Sequence, residues 1–266
     1  MQKISNFVKG NESNLTNKER LELQAKWFND EVGDLDEIDC PECKNKGYIQ
    51  KVVYEELYGD YNLVMQHCEC WHKRETIRRA RKSGLGEYVN KRFEDFTVNE
   101  KWQKDLRDKA LQFIKDDSNV WWTIVGQSGS GKTLISCTIA NYLLIVKNMN
   151  VQYITWTDFI SKLKRDMMSD DTRSVSDYLG FIKNIDVLYI DEMLKKYNET
   201  DLKYLIEIIN YRYTNDKKTI ITSEKLINEL LDIDEATFSR MIEKSKKYIT
   251  IIPNDRSKNY RLKEVI

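Results

Sequence analysis

The first chemistry in this chain lies in eight consecutive residues: Gly126, Gln127, Ser128, Gly129, Ser130, Gly131, Lys132 and Thr133. They fill every fixed position of the P-loop pattern G-x-x-x-x-G-K-[ST]. The three glycines let backbone N–H groups turn inward as an anion nest. Lys132 would reach the β- and γ-phosphates of a nucleotide, and the Thr133 hydroxyl would hold Mg²⁺. A chain of this length and average composition matches the bare pattern by accident on the order of one time in a hundred, so the flanking residues decide its meaning. A second pair, Asp191 and Glu192, closes the apolar run 187–190. This is the Walker B form, with Asp191 as a Mg²⁺ ligand beside Thr133 and Glu192 deprotonating the attacking water. The third chemistry is thiol-based: Cys40 and Cys43 in C-x-x-C spacing, then Cys68 and Cys70 in the tighter C-x-C. Two thiolates at each of two turns can complete one tetrahedral Zn²⁺ site, which four protein ligands would close to catalysis. His67 is the first substitute ligand and His72 another.

These groups need elements to position them. Residues 121–125 are apolar and β-rich, and after the loop Leu134, Ile135, Ile139, Leu143 and Val146 recur at helical spacing. Strand, glycine loop and helix is the context a phosphate nest requires, since the helix N-terminus adds its positive end. Further strands are expected at 151–155, 186–192, 219–223 and 248–252. Ser223 then falls at a strand end near the γ-phosphate. Helices are expected at 100–114, 158–168, 174–182 and 234–244, and around Leu202, Leu205, Ile206 and Ile209. Between the cysteine pairs lie two β-rich runs, 48–57 and 61–66, about the turn Tyr58, Gly59, Asp60. They predict a zinc-ribbon-like hairpin over about 40–72, too small to build a core without a staple. Thr16 and Glu19 form a capping box that opens a helix. Residues 71–82 are a basic helix whose positive face would meet nucleic acid phosphates, an acidic partner or water. The acidic run 30–42 reads as a solvated face or a docking surface. Residues 1–15 are polar and expected to be loose.

Length and charge bound the rest. The 266 residues leave room for one ordinary domain and a smaller one. With 43 basic and 43 acidic residues, the chain has no global charge to steer nucleic acid. No apolar run approaches the ~20 residues of a membrane span, and the polar start carries no signal peptide. A cytoplasmic protein with no membrane attachment is expected. Five cysteines in that setting suggest metal or free thiols before disulfides. The expected organisation is an N-terminal domain at 1–82, a linker at 83–98 and a P-loop domain at 99–266. Only residues 253–266 follow the last strand, so no C-terminal helical lid is expected.

This order of strands and motifs resembles an AAA+ ATPase core. The set is similar to the bacterial and phage replicative helicase loaders of the DnaC/DnaI group, with IstB-type transposition ATPases as relatives. The resemblance rests on residues 93–96, 126–133, 189–192, 221–223 and 239–241, and it covers roughly 85–262. The cysteine-bearing segment resembles the DnaI branch. The resemblance implies an α/β fold: a three-layer αβα core with a parallel sheet, preceded by the zinc-ribbon-like domain and an N-terminal helix. It implies slow, assembly-dependent ATP hydrolysis, with ATP or ADP, Mg²⁺ and Zn²⁺ as cofactors. The implied partners are the DnaB-type hexameric helicase, single-stranded DNA and further copies of the chain. Residue by residue, it implies Lys132 and Thr133 as nucleotide and Mg²⁺ ligands, Asp191 as the Walker B acid and Glu192 as the base. Thr222 and Ser223 fall at sensor 1, with Glu224 where the family usually has Asn. Arg240 falls at the arginine finger. For the DNA track, Lys162, Lys164 and Arg165, or Lys195, Lys196 and Tyr197, are candidates. Two rivals remain: an IstB-type helper of transposition, and a nucleotide-gated adaptor with negligible hydrolysis. A small-molecule P-loop kinase is disfavoured because no arginine-rich lid segment follows the core.

Overall fold

The structure, a computed structural model, describes residues 15–168 and 172–262. The loose start expected over 1–15 therefore lies, Leu15 apart, outside the described residues. The chain divides into two compact units between Arg78 and Arg79. The division falls inside a helix, α2 (Cys70–Lys82).

In the first unit, α1 (Asn17–Asp30) opens on the Thr16–Glu19 capping box. The strands β1 (Tyr48–Glu55) and β2 (Asp60–His67) pair antiparallel, from Tyr48 opposite His67 to Glu55 opposite Asp60. Asn29 of α1 ties the helix to the hairpin: its amide donates to the Gln50 carbonyl and accepts from the Gln50 N–H, both at 2.9 Å. The buried core of this unit is four cysteines and Ile49. Hairpin side chains such as Tyr54, Leu57, Tyr58 and Met65 stay exposed. The charged runs on either side of the cysteines are not simply solvated. Arg74 is fully buried and donates to Glu37 (3.0 Å), the Ile38 carbonyl (2.8 Å) and Asn45 (3.0 Å). Arg78 also holds Glu37. The basic helix thus turns two arginines inward, and the acidic run supplies their partner.

The second unit holds one parallel sheet of β3 (Trp122–Gly126), β4 (Val151–Thr155), β5 (Val187–Asp191), β6 (Lys218–Ser223) and β7 (Ile249–Ile252). Their order is β4-β5-β6-β3-β7. Period-two alternation sends Trp122, Ile124, Val187, Tyr189 and Ile220 to one core, and Trp121, Val125, Leu188, Ile190 and Ile221 to the other. A sheet apolar on both faces must be covered on both. α3 (Lys101–Phe113) and α4 (Lys132–Ile145) cover the first face. The second is covered by α5 (Trp156–Met168), α6 (Thr172–Asn184), α7 (Glu199–Thr214), α8 (Ile227–Ile233) and α9 (Glu235–Ser245). The result is the expected three-layer αβα core. The short α8 has no counterpart in the sequence reading. Asp234 separates it from α9 and caps the latter, accepting the Thr237 N–H at 2.7 Å. Arg212 is buried without a carboxylate. It instead donates to the carbonyls of Ile182, Lys183 and Ile185 at 2.9–3.2 Å, ending α6 against β6.

Candidate functional site

The C-terminal ends of β3, β5 and β6 meet at one edge of the sheet, where α/β folds place their ligands. β3 runs into the glycine loop, and α4 begins at Lys132. Gly126 has φ +117, and a Cβ there would sit 1.9 Å from the Ile252 carbonyl, so only glycine fits. Gly129 (φ +74) and Gly131 (φ +82) also lie in the left-handed region. Within the loop the Ser130 hydroxyl donates to the Gln127 carbonyl at 2.8 Å. Lys132 folds back on the loop, donating to the carbonyls of Gly126 and Gln127 at 2.7 Å each. Burial holds its pKa below the ordinary lysine value.

Asp191 ends β5 and is buried. The Thr133 hydroxyl donates to it at 3.1 Å, which joins the two motifs across 58 residues of chain. Three more hydroxyls converge on the same carboxylate: Tyr189 at 2.9 Å, Tyr153 at 3.0 Å, and Thr222. Burial first, and then the Asp191 charge, pushes both tyrosines above their ordinary pKa, so they stay protonated donors. Thr222 also accepts the Glu192 N–H at 3.1 Å. Ser223 is buried; its hydroxyl donates to the Met193 carbonyl at 2.8 Å and accepts the Lys225 N–H at 3.1 Å. Both residues therefore brace the loop after Asp191. That loop holds Glu192 (φ +53) and Leu194 (φ +59) in left-handed backbone, a conformation that costs energy in a bulky side chain. The Glu192 carboxylate meets Lys195 at 2.6 Å, and Lys195 also faces Glu224 at 3.8 Å.

Around these groups lies a pocket of about 310 Å³. Ser128, Lys132, Thr133, Asp191, Glu192 and Ser223 line it, so all of the expected phosphate and acid residues but Gly126 and Gln127 face one cavity. Those two sit at its root, with Lys132 on their carbonyls. Arg240 does not face this pocket. It lies on α9, donating to Asn210 at 2.7 Å over the Tyr213 ring. Three of the four expected DNA-binding lysines are engaged: Lys164 pairs with Asp201 at 2.8 Å, Lys162 lies over Tyr178, and Lys195 is bound as described; Lys196 is exposed. Tyr153, Tyr189 and Lys195 had no part in the sequence reading of the pocket. Tyr189 is two residues before Asp191 on a strand, hence on its face. Tyr153 needs the register that sets it opposite Tyr189.

In the first unit the sulfurs of Cys40, Cys43, Cys68 and Cys70 all lie within 4.8 Å of one another and are buried. Cys40 and Cys68 are 3.7 Å apart, Cys43 and Cys70 3.5 Å. A tetrahedral Zn–S site has edges of about 3.8 Å, so the donor set fits Zn²⁺. The Gly47 N–H (3.2 Å, to Cys43) and Arg74 (3.4 Å, to Cys70) donate to the sulfurs, as partners of thiolates would. His67 is not among them. It stacks on Trp71 and Tyr48 at centroid distances of 4.3 and 4.6 Å. His72 is exposed beside Glu75.

Glycine nest, joined hydroxyl and acid, and a strand order in which β6 separates β3 from β5 define an ATP-binding protein with the AAA+ form of the P-loop fold. The chain belongs to the IstB-like ATP binding protein family, whose profile matches residues 40–263. It is 28% identical over 260 residues to the uncharacterized protein YqaM of Bacillus subtilis (strain 168), covering 91% of this chain and 82% of that protein. It is 27% identical over 249 residues to the phage-like element PBSX protein XkdC of the same strain, covering 87% and 89%. Over 143 residues it is 26% identical to the replicative helicase loader DnaC of Buchnera aphidicola subsp. Baizongia pistaciae (strain Bp), covering 52% and 57%. Among solved structures, the DnaC helicase loader matches with a TM-score of 0.51 at 23% identity, over 64% of this chain and 99% of that one. DnaI matches with 0.51 at 19%, over 63% and 93%. At those identities the two structures establish the fold alone. Among the described residues, no helix is long and apolar enough to cross a membrane.

Proposed function

We propose that this chain is an ATP-dependent helicase loader. It binds the replicative hexameric DNA helicase and single-stranded DNA in the cytoplasm, and loads the helicase as replication starts. The observation that carries this reading is the union, in one chain, of the Thr133–Asp191 contact beside the glycine loop with four clustered cysteines. The first suits a Mg²⁺–nucleotide site and the second a structural zinc lobe. Similarity to a replicative helicase loader supports the same direction.

In this reading Lys132 exchanges two carbonyls for the β- and γ-phosphates, which the loop N–H groups surround. Thr133 and Asp191 hold Mg²⁺, whose charge neutralises the phosphates. Glu192 releases Lys195 and accepts a proton from the attacking water. Arg240 serves the pocket of a neighbouring copy, so turnover is slow until copies assemble. Cys40, Cys43, Cys68 and Cys70 hold one Zn²⁺ that cross-links the hairpin. Residues 1–82 dock on the helicase, 83–98 link, and 99–266 form the ATPase.

Size exclusion of the protein with its host's replicative helicase and ATP tests this. The loader reading expects comigration that is lost when residues 1–82 are removed. The family profile favours one rival, an IstB-type helper of transposition. No complex under any nucleotide, with binding to a transposase instead, would select that rival. The Lys195 bridge between Glu192 and Glu224 favours a nucleotide-gated adaptor. Measurable turnover that vanishes in Glu192→Gln removes it.

A further inference from the structure

Arg74 stands four residues after Cys70, about one turn further along α2 and so on the same helix face. It is fully buried, which suits a guanidinium only when its donors and its charge are both met. Its donors reach separate segments of the first unit. Nε donates to the Cys70 sulfur at 3.4 Å. One terminal nitrogen donates to Glu37 at 3.0 Å, and the other to the Ile38 carbonyl at 2.8 Å and to Asn45 Oδ1 at 3.0 Å. The same Asn45 oxygen accepts the Cys40 N–H at 2.8 Å, while Asn45 Nδ2 donates to Asp39 at 3.2 Å. Asn45 follows Cys43 by two residues in left-handed backbone (φ +67), a conformation that asparagine accepts more readily than most residues. One arginine thus joins the turn of Cys68 and Cys70 to the turn of Cys40 and Cys43, with Asn45 between them.

Hydrogen bonds alone do not call for an arginine here, since a neutral side chain could donate without burying a charge. Its carboxylate partner, Glu37, is shared with Arg78. One acid between two guanidiniums leaves positive charge over, and Arg74 turns part of it to the sulfur of Cys70. Four thiolates around one divalent ion carry an excess of negative charge, which a buried guanidinium beside them offsets. Four neutral thiols would need no such cation.

We propose that Arg74 is the positioning residue of the thiol cluster. It holds the two cysteine turns at one spacing and supplies the cation that favours four thiolates, so it sets the affinity of the site for Zn²⁺. The proposal rests on the zinc reading of the cluster and adds a residue outside the ligand set. Lysine is no substitute, because a single ammonium lacks the planar fork that spans Cys70, Ile38 and Asn45 at once.

The test is metal titration of the full chain against a chromophoric chelator, repeated with Co²⁺ to read the thiolate-to-metal charge-transfer band. Arg74→Gln should lower zinc affinity ten- to a hundredfold, the usual effect of losing an outer partner of a metal ligand, and should shift the cobalt band. Arg74→Lys should recover only part of the affinity. Asn45→Gly keeps the left-handed backbone and the bond from Arg74 to Cys70. It should cost less affinity than Arg74→Gln and leave the cobalt band in place. Glu37→Gln should bind zinc at neutral pH as the wild type does. Wild-type affinity and an unshifted band in Arg74→Gln overturn the proposal. If that variant does not fold, an unshifted band in Arg74→Lys overturns it equally. A loss of zinc affinity in Glu37→Gln as large as in Arg74→Gln would make Arg74 a packing residue alone. A wild-type chain that takes up neither metal removes the zinc reading itself, and this role with it.

Discussion

Lys132 donates to two carbonyls at 2.7 Å, the places that phosphate oxygens would take over. Its charge cannot be replaced by a neighbour in the loop, which supplies only N–H groups and hydroxyls. Lys132→Ala should lower ATP affinity by at least about a hundredfold, since charge-assisted bonds are the strong ones; calorimetry reads this directly. Glu192→Gln keeps the shape of the pocket but removes the proposed base. It should bind ATP normally and abolish turnover in a phosphate-release assay. Asp191 is held by Tyr153 and Tyr189 as well as by the two threonines. If Asp191 holds Mg²⁺ as proposed, these tyrosines act through it as positioning residues. Tyr189→Phe and Tyr153→Phe should each raise the Mg²⁺ concentration needed for half-maximal ATP binding by up to about tenfold, as outer partners of metal ligands do. Affinity at saturating Mg²⁺ should stay near that of the wild type. An unaltered Mg²⁺ dependence would leave the tyrosines as core residues only.

At the scale of elements, the hairpin of β1 and β2 has almost no apolar core apart from its thiols. A two-stranded hairpin is marginal in water, so a Zn²⁺ held by the four thiols, as proposed, would supply most of its stability. Metal analysis should find one zinc per chain, and a strong chelator should unfold the hairpin while β3 to β7 stay folded. Zinc-free protein with an intact hairpin would contradict this. Glu37 is the second prop. Hydrogen bonds from Arg78 and then Arg74 hold it near pKa 2, against an ordinary 4.5. A depressed folded pKa means that its contribution is complete above about 4.5 and disappears as pH falls towards 2. Unfolding of the first unit, followed through Trp27 and Trp71 fluorescence, should therefore move to lower acidity in Glu37→Gln, with little change at neutral pH in how the hairpin binds zinc.

For the whole molecule, two compact units carry two kinds of site, one built on thiols and one on phosphate-binding backbone. Arg240 belongs to the second unit yet faces away from its pocket, towards Asn210 and Tyr213. An arginine that stabilises transferred phosphate charge is worth on the order of 10³ in rate. Arg240→Ala should thus bind ATP as a single copy does, but lose hydrolysis by about that factor in assemblies. Mixing it with Glu192→Gln protein would restore activity at the interfaces where an intact Glu192 meets an intact Arg240. Normal hydrolysis by Arg240→Ala assemblies would remove the trans role.

Much of this was legible along the chain because the signals are local. Glycines 126, 129 and 131 announce positive φ, the near-continuous apolar runs 121–125 and 187–190 announce strands buried on both faces, and paired cysteines announce a cluster. Each depends on residues a few positions apart, which backbone geometry alone brings together. Strand order, register and the path of the chain decided the rest. They alone set Tyr153 against Asp191, turned Arg74 and Glu37 inward, and stacked His67 on Trp71 away from the thiols. Such contacts follow from the burial of a shared core, a property of the whole sheet and its helices that no short stretch of sequence encodes.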